Sequence, residues 1–216
     1  MLRDKMHSSQ PLRNNVQVFL DALERVVLSV IFSFFAWKLG QSWLTTGSII
    51  TLIALVSEGA VLFFVLFRRF TTEVSMLPGD WLLAFLGTAT PLLVQPSGNE
   101  GLAPQALCAA LMLVGMSVQI AAKLTLRRSF GAVAANRGVK KKGPYRLVRH
   151  PMYAGYILTQ IGFLLSYPSV FNLAVYSAAF AFQIGRILAV ERVLARDASY
   201  RDFTAAVPYR LVPGVF

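Results

Sequence analysis

The sequence predicts an all-α fold, a polytopic transmembrane helical bundle of about six spans with five as the alternative count. Three observations predict it. Of the 216 residues 56% are hydrophobic and 14% charged, and the mean hydropathy is +0.57, which is more apolar surface than a soluble domain of this size buries. The apolar residues come in runs of bilayer length, each interrupted by residues that leave helices easily. Lys and Arg fall on alternate connectors, the pattern of a chain that crosses repeatedly and keeps its basic loops on the cytosolic side.

Taken in order, residues 1–17 are mostly polar and read as a short cytosolic tail, because no small-residue cleavage site follows a short apolar core as in a signal peptide. Candidate spans then occupy residues 18–39, 48–67, 81–94, 104–126, 152–167 and 170–190. The third and fifth are short against the ~17 to 25 residues that a helical span needs. Asp21, Glu24 and Arg25 lie in the first turns of the first candidate and would hold that part at the interface, which is the case for five spans. The connectors carry turn chemistry: Gly40 to Gly47, Pro78-Gly79-Asp80, Pro96-Ser97-Gly98-Asn99 and Tyr167-Pro168-Ser169.

Charge orients the bundle. Arg3, Lys5 and Arg13 precede the first span, Arg68 and Arg69 follow the second, and residues 123–150 hold Lys123, Arg127, Arg128, Arg137, Lys140, Lys141, Lys142, Arg146 and Arg149. The intervening connectors carry neither Lys nor Arg, so both termini and the long basic loop are expected in the cytosol. The net charge of +11 therefore reads as an orientation signal and not as a nucleic-acid footprint, which would spread over a polar surface. Cys108 is the single cysteine, so no disulfide or thiolate metal cluster forms within the chain; it reads as a buried inert thiol, and no metal site is expected. The chain divides into the tail 1–17, N-terminal transmembrane helices 18–126, and a C-terminal region 127–216 made of basic loop, helical hairpin and amphipathic tail.

Chemistry-bearing residues gather in two blocks, residues 143–155 and 186–213. The fifth span starts at about Pro151, a tight turn returns the chain near Pro168, and the sixth descends to about Val190. Helical rise therefore brings His150, Tyr153, Arg186, Glu191 and Arg192 to one membrane face. Interfacial anchoring would explain the arginines; it explains the combination with His, Tyr, Gly and Glu less well.

The first block reads Gly-Pro-Tyr-Arg-x-Val-Arg-His-Pro-Met-Tyr-x-Gly, and after a helical hairpin comes Glu-Arg-x-Leu, then Tyr-x-x-Phe, Val-Pro and a final Pro. This order resembles the isoprenylcysteine carboxyl methyltransferase and phospholipid methyltransferase superfamily over roughly the last third of the chain. The resemblance implies a cytosol-facing S-adenosylmethionine pocket at the C-terminal hairpin and a lipid-tail tunnel opening from the bilayer. It implies methyl transfer to a lipophilic or lipid-tethered acceptor, foremost an isoprenylcysteine-type carboxylate. Position by position, it puts the cofactor contacts on the backbone near Val139 and Lys140 and on Tyr145, His150, Pro151 and Tyr153, with Glu191 taking the ammonium group. Arg186 falls where the family arginine orients the acceptor.

Three departures stand out. Val190-Glu191 replaces a pair of acids, Asp197-Ala198-Ser199 replaces a Phe-Gly, and Phe203 stands at the second tyrosine position. The resemblance puts them near the acceptor end, where they bear on substrate identity.

Methyl transfer suits these residue types. A sulfonium donor is already activated, so the protein has to align nucleophile, methyl carbon and sulfur and exclude water. A carboxylate acceptor is ionised at neutral pH and needs no base, whereas an ammonium acceptor must first lose a proton, work for His150 or Glu191. Catalytic candidates are thus Arg186 and His150. Glu58, inside the second span, is expensive there and is expected either to line the acceptor path or to pair with a polar neighbour such as Gln119. Lys140 to Lys142 would attract anionic lipid head groups or the donor's carboxylate, or serve orientation alone. Glycines 47, 59, 115, 162 and 185 are expected at close helix contacts. Competing readings are a phospholipid N-methyltransferase, an NADPH-dependent sterol or enone reductase with a comparable His-Pro-x-Tyr-x-Gly block, and a small transporter or membrane scaffold.

Overall fold

A computed structural model describes residues 2–47, 49–71, 73–95 and 100–216, without the side chains of 2–14, 42, 46, 49–51, 53, 54, 57 and 58. The described residues form seven α-helices joined by turns: α1 Leu2–Thr46, α2 Ile49–Leu66, α3 Pro78–Ala89, α4 Gln105–Leu126, α5 Pro151–Ser166, α6 Val170–Leu194 and α7 Ala198–Ala206. An all-helical fold follows from the apolar runs, because a helix satisfies its own backbone polar groups wherever water is excluded.

Two segments, Gln105–Ser129 and Val170–Leu194, are long and apolar enough to cross a membrane. The expected third span is shorter than the sequence suggests. Proline at the N-terminus of α3 starts a helix of 12 residues, a rise of ~18 Å, and Pro91 then tightens the chain into a 3-10 turn over Thr90–Leu93. The expected tail, first span and nearly all of the expected connector 40–47 are one continuous helix of 45 residues; the expected connector Pro78-Gly79-Asp80 is the first turn of α3, and Pro96-Ser97-Gly98-Asn99 lies outside the described residues.

Helix α4 packs closely along α5, and small residues set the distance. A Cβ on Gly155 would lie 2.6 Å from the Gly115 carbonyl oxygen, one on Gly115 would lie 2.5 Å from Thr159 Oγ1, and one on Gly162 would lie 2.7 Å from Met112 Cγ. Gly185 likewise packs on Leu83, whereas among the described residues a Cβ on Gly47 or Gly59 would meet nothing within 4 Å. Cys108 is buried beside this seam. Across the same helices Gln119 Nε2 donates to Thr159 Oγ1 at 2.9 Å.

At one end of the bundle Asn172 ties the α5–α6 turn to the chain after α3. Its Nδ2 donates to the carbonyls of Gln95 and Tyr167, at 2.8 Å and 2.9 Å, and its Oδ1 accepts from the Gln95 amide. At the other end the loops 67–77 and 130–142 pair through an antiparallel bridge between Val74 and Ala135. Arg192 closes this end by donating to both carboxylate oxygens of Asp80 at 2.6 Å, joining α3 to α6.

Candidate active site

The site is built where the loop 127–150, the start of α5, the end of α6 and the C-terminal tail converge. Gly143 adopts φ +59, a conformation that costs glycine nothing, and starts the 3-10 turn Gly143–Arg146. This turn buries Tyr145. Pro151 occupies the first turn of α5, where its missing N–H is no loss. His150 precedes it, and the His150 carbonyl accepts from the amides of Tyr153 and Ala154 at 3.1 Å and 3.3 Å.

The tail locks this turn. The amides of Arg149 and His150 donate to the carbonyls of Tyr209 and Arg210, at 2.9 Å and 2.8 Å. Below them Glu191 gathers four side chains. His150 Nε2 is 3.1 Å from its Oε1, Arg149 Nε is 3.2 Å from the same oxygen, Tyr200 donates to it at 3.3 Å, and Arg210 Nε donates to Oε2 at 2.9 Å. The carboxylate can only accept, so the neutral imidazole carries its proton on Nε2. Burial lowers the His150 pKa below the ordinary value, against the opposing pull of the Glu191 hydrogen bond. Burial likewise raises the phenols of Tyr145 and Tyr200, so both are plain hydrogen-bonding aromatics at neutral pH.

A cavity of about 110 Å³, room for several water molecules or part of a ligand, opens beside this knot. Val139, Lys140, Tyr145, His150 and Tyr153 line it, together with Arg137, Tyr200 and Phe203. The structure thus brings five of the predicted cofactor residues onto one surface. Pro151 lies behind them in the α5 turn, and Glu191 is turned toward its protein partners. Phe203, expected near the acceptor end, lines this same cavity because α7 folds back over it. Asp197 caps α7 by accepting from the Ser199 amide at 2.8 Å and holds Asn136 Nδ2 at 3.2 Å.

A second, largely apolar cavity of about 350 Å³ lies on the other side of Met152, which lines both. Leu28, Ile31, Phe32 and Phe35 of α1 and Tyr156 of α5 form much of its wall, and among the described residues Arg186 is the charged one in it. The guanidinium donates to the Ala132 carbonyl at 3.0 Å and lies 5.6 Å from the Tyr153 ring centroid, while its Nε has no hydrogen-bond partner among the described residues. The side chain of Glu58 lies outside the described residues.

Sequence reasoning missed a buried ionic cluster. Asp21 and Glu24, expected at a membrane interface, and Arg68, expected at the surface, are at most 3% exposed. Arg68 pairs with Asp21 at 3.0 Å and with Glu24 at 3.1 Å; Arg137 pairs with the same two acids at 2.6 Å and 2.8 Å. The signal available was the spacing of Gln17, Asp21, Glu24 and Leu28, which places all four on one face of a helix; all four are buried.

No curated protein matches the chain. Residues 103–198, from the start of α4 to the first residue of α7 and so including the loop 127–150, match the family model of phospholipid methyltransferases. Over this stretch, somewhat less than half of the chain, the protein is similar to the phospholipid methyltransferases, a family within the superfamily of isoprenylcysteine and phospholipid membrane methyltransferases.

Proposed function

We propose that the protein is an integral membrane methyltransferase that transfers a methyl group from S-adenosylmethionine to a lipid-tethered carboxylate of isoprenylcysteine type, at the cytosolic face. The observation that carries this reading is the pair of cavities sharing Met152, one aromatic and polar, the other apolar, with Arg186 of the second set over Tyr153 of the first.

The polar cavity suits the donor. Tyr145 and Tyr153 offer aromatic surface to a sulfonium cation, and Val139, Lys140 and Arg137 lie along its wall, where the positive charge of Lys140 is matched to a carboxylate. When bound, the donor supplies a sulfonium methyl, and transfer to a carboxylate oxygen forms one O–C bond, breaks one S–C bond and leaves a neutral thioether. Neutral His150, held by Glu191, fixes the turn that aims Tyr153. Glu191, read from sequence as the partner of the donor's ammonium, serves in this reading to organise the turn, since its oxygens already have four side-chain partners.

The apolar cavity suits the acceptor. Among the described residues Arg186 is the charged group in its lining. An ionised carboxylate would pair with Arg186 and attack without a base, whereas an ammonium acceptor would first have to shed its proton. The family description favours a phospholipid amine as the second reading.

The test is methyl transfer from labelled S-adenosylmethionine by the purified protein, offered N-acetyl-S-farnesylcysteine or phosphatidylethanolamine. Base-labile methyl ester on the prenylcysteine is the expected product. Label on the phospholipid alone would overturn the choice of acceptor, and titrations showing that NADPH binds while S-adenosylhomocysteine does not would replace the transferase with a reductase.

A further inference from the structure

A thin backbone wall separates the two cavities. Phe130 and Ala132 line the apolar one and Gly131 and Val133 the polar one, with Val133 also reaching an apolar groove between α1 and α3. This wall is held from both sides. From α6, Arg186 Nη2 donates to the Ala132 carbonyl at 3.0 Å. From α1, Glu24 Oε1 accepts from the Ala132 and Val133 amides at 2.7 Å and 2.9 Å, while its other oxygen takes Arg137 at 2.8 Å and Arg68 at 3.1 Å.

A carboxylate is the one side-chain type suited to this place. Both amides need an acceptor because this stretch is turned away from any sheet or helix ladder, and buried amides left without one are costly. The two arginines supply the counter-charge that lets the acid remain ionised while buried. Asp21 shares both arginines but makes no hydrogen bond to the wall's amides.

We propose that Glu24 is a positioning residue for the donor cavity, acting through the backbone of Ala132 and Val133, and touching neither donor nor acceptor. The inference rests on the donor reading of that cavity. Helix α1 also lines the acceptor cavity with Leu28, Ile31, Phe32 and Phe35, so one helix shapes the acceptor's wall and holds the partition that bounds the donor.

Binding of S-adenosylhomocysteine to the full-length protein in detergent, with hydrogen exchange of the wall amides followed in parallel, tests the assignment. Glu24→Ala should weaken binding at least tenfold and speed exchange across residues 131–135. Asp21→Asn, which disturbs the same ionic cluster, should leave affinity within about threefold and wall exchange unchanged. If Glu24→Ala fails to fold, Glu24→Gln takes its place, with at least a threefold loss expected. Equal effects of the Asp21 and Glu24 substitutions, or wild-type wall exchange in both Glu24 variants, would overturn the positioning role. Wild-type protein that binds no S-adenosylhomocysteine would instead sink the donor reading, while the exchange data would still report whether Glu24 holds the wall.

Discussion

Replacing Glu191 by Gln keeps the shape of the side chain and removes the charge that holds four partners, so it separates a structural knot from direct donor contact. Its two strongest contacts are Arg210 Nε at 2.9 Å and His150 Nε2 at 3.1 Å, with Arg149 at 3.2 Å. A hydrogen bond to a charged group contributes about 1.5 to 3 kcal/mol. The Arg210 side chain is 31% exposed, and solvent screening puts its contact at the low end of that range. Arg149, at 10% exposure, would lose its counter-ion in a largely buried place, which adds to the cost. The combined loss of stability is about 2 to 4 kcal/mol. Because the His150 turn carries Tyr153 into the cavity, S-adenosylhomocysteine affinity should fall about tenfold, equivalent to about 1.4 kcal/mol. The discriminating partner is Arg210→Gln, which removes a residue outside the cavity lining and should itself cost about threefold in affinity. In a double-mutant cycle read by unfolding and by calorimetric titration, the two changes should couple by about 1 kcal/mol. Additive effects, together with wild-type affinity in Arg210→Gln, would refute the knot and return Glu191 to direct contact with the donor.

Three further outcomes follow from the geometry. Gly155→Ala places a methyl 2.6 Å from the Gly115 carbonyl and 2.8 Å from Gln119 Cγ, so α4 and α5 must part, lowering stability by about 1 to 3 kcal/mol in a thermal or denaturant melt; an unchanged midpoint would show that the helices are not in contact there. His150 has its pKa depressed by burial, so the unfolded chain takes up a proton first as pH falls; the stability gained from the neutral imidazole is present above about pH 6.5 and is lost as pH falls from there toward the lower folded value. Melting midpoints of wild type and His150→Gln between pH 5 and 8, scales chosen around that ordinary value of about 6.5, should differ least on the acid side, and parallel curves would count against the assignment. Arg186→Ala should reduce acceptor turnover by about a hundredfold, the scale of losing an oriented charge contact, and should lower donor affinity by less than that, because the same guanidinium also holds the Ala132 carbonyl of the wall; equal losses for donor and acceptor would misplace the arginine.

How much of this was legible beforehand differs from helix to helix. The boundaries of α4, α5 and α6 were readable because Pro104, Pro151 and the Tyr167-Pro168-Ser169 turn act locally, through a missing amide or a fixed φ. The closeness of His150 and Tyr153 was readable for the same reason, since they flank one helix start, whereas Tyr145 was singled out only by the family resemblance. The brevity of α3 was less so, because Pro91 lies in an apolar run whose hydropathy masks the turn. Phe203 could be placed against the donor cavity only once α7 was seen to fold back over it.

The amino-acid order alone determined an all-helical chain, the turn at Tyr167-Pro168-Ser169 and the pair of chemistry-bearing blocks, since each depends on neighbours within a few residues; the connectors read at 40–47 and 78–80 are, but for Gly47, helical instead. Only the tertiary structure decided what the charges do. Glu24 meets the Ala132 amide across 108 positions, Asp80 meets Arg192 across 112, and Glu191 is claimed by a tail that follows it. The worth of a buried charge depends on which opposite charge and which amides the packed helices bring within about 3 Å, and no local pattern in the chain encodes that meeting.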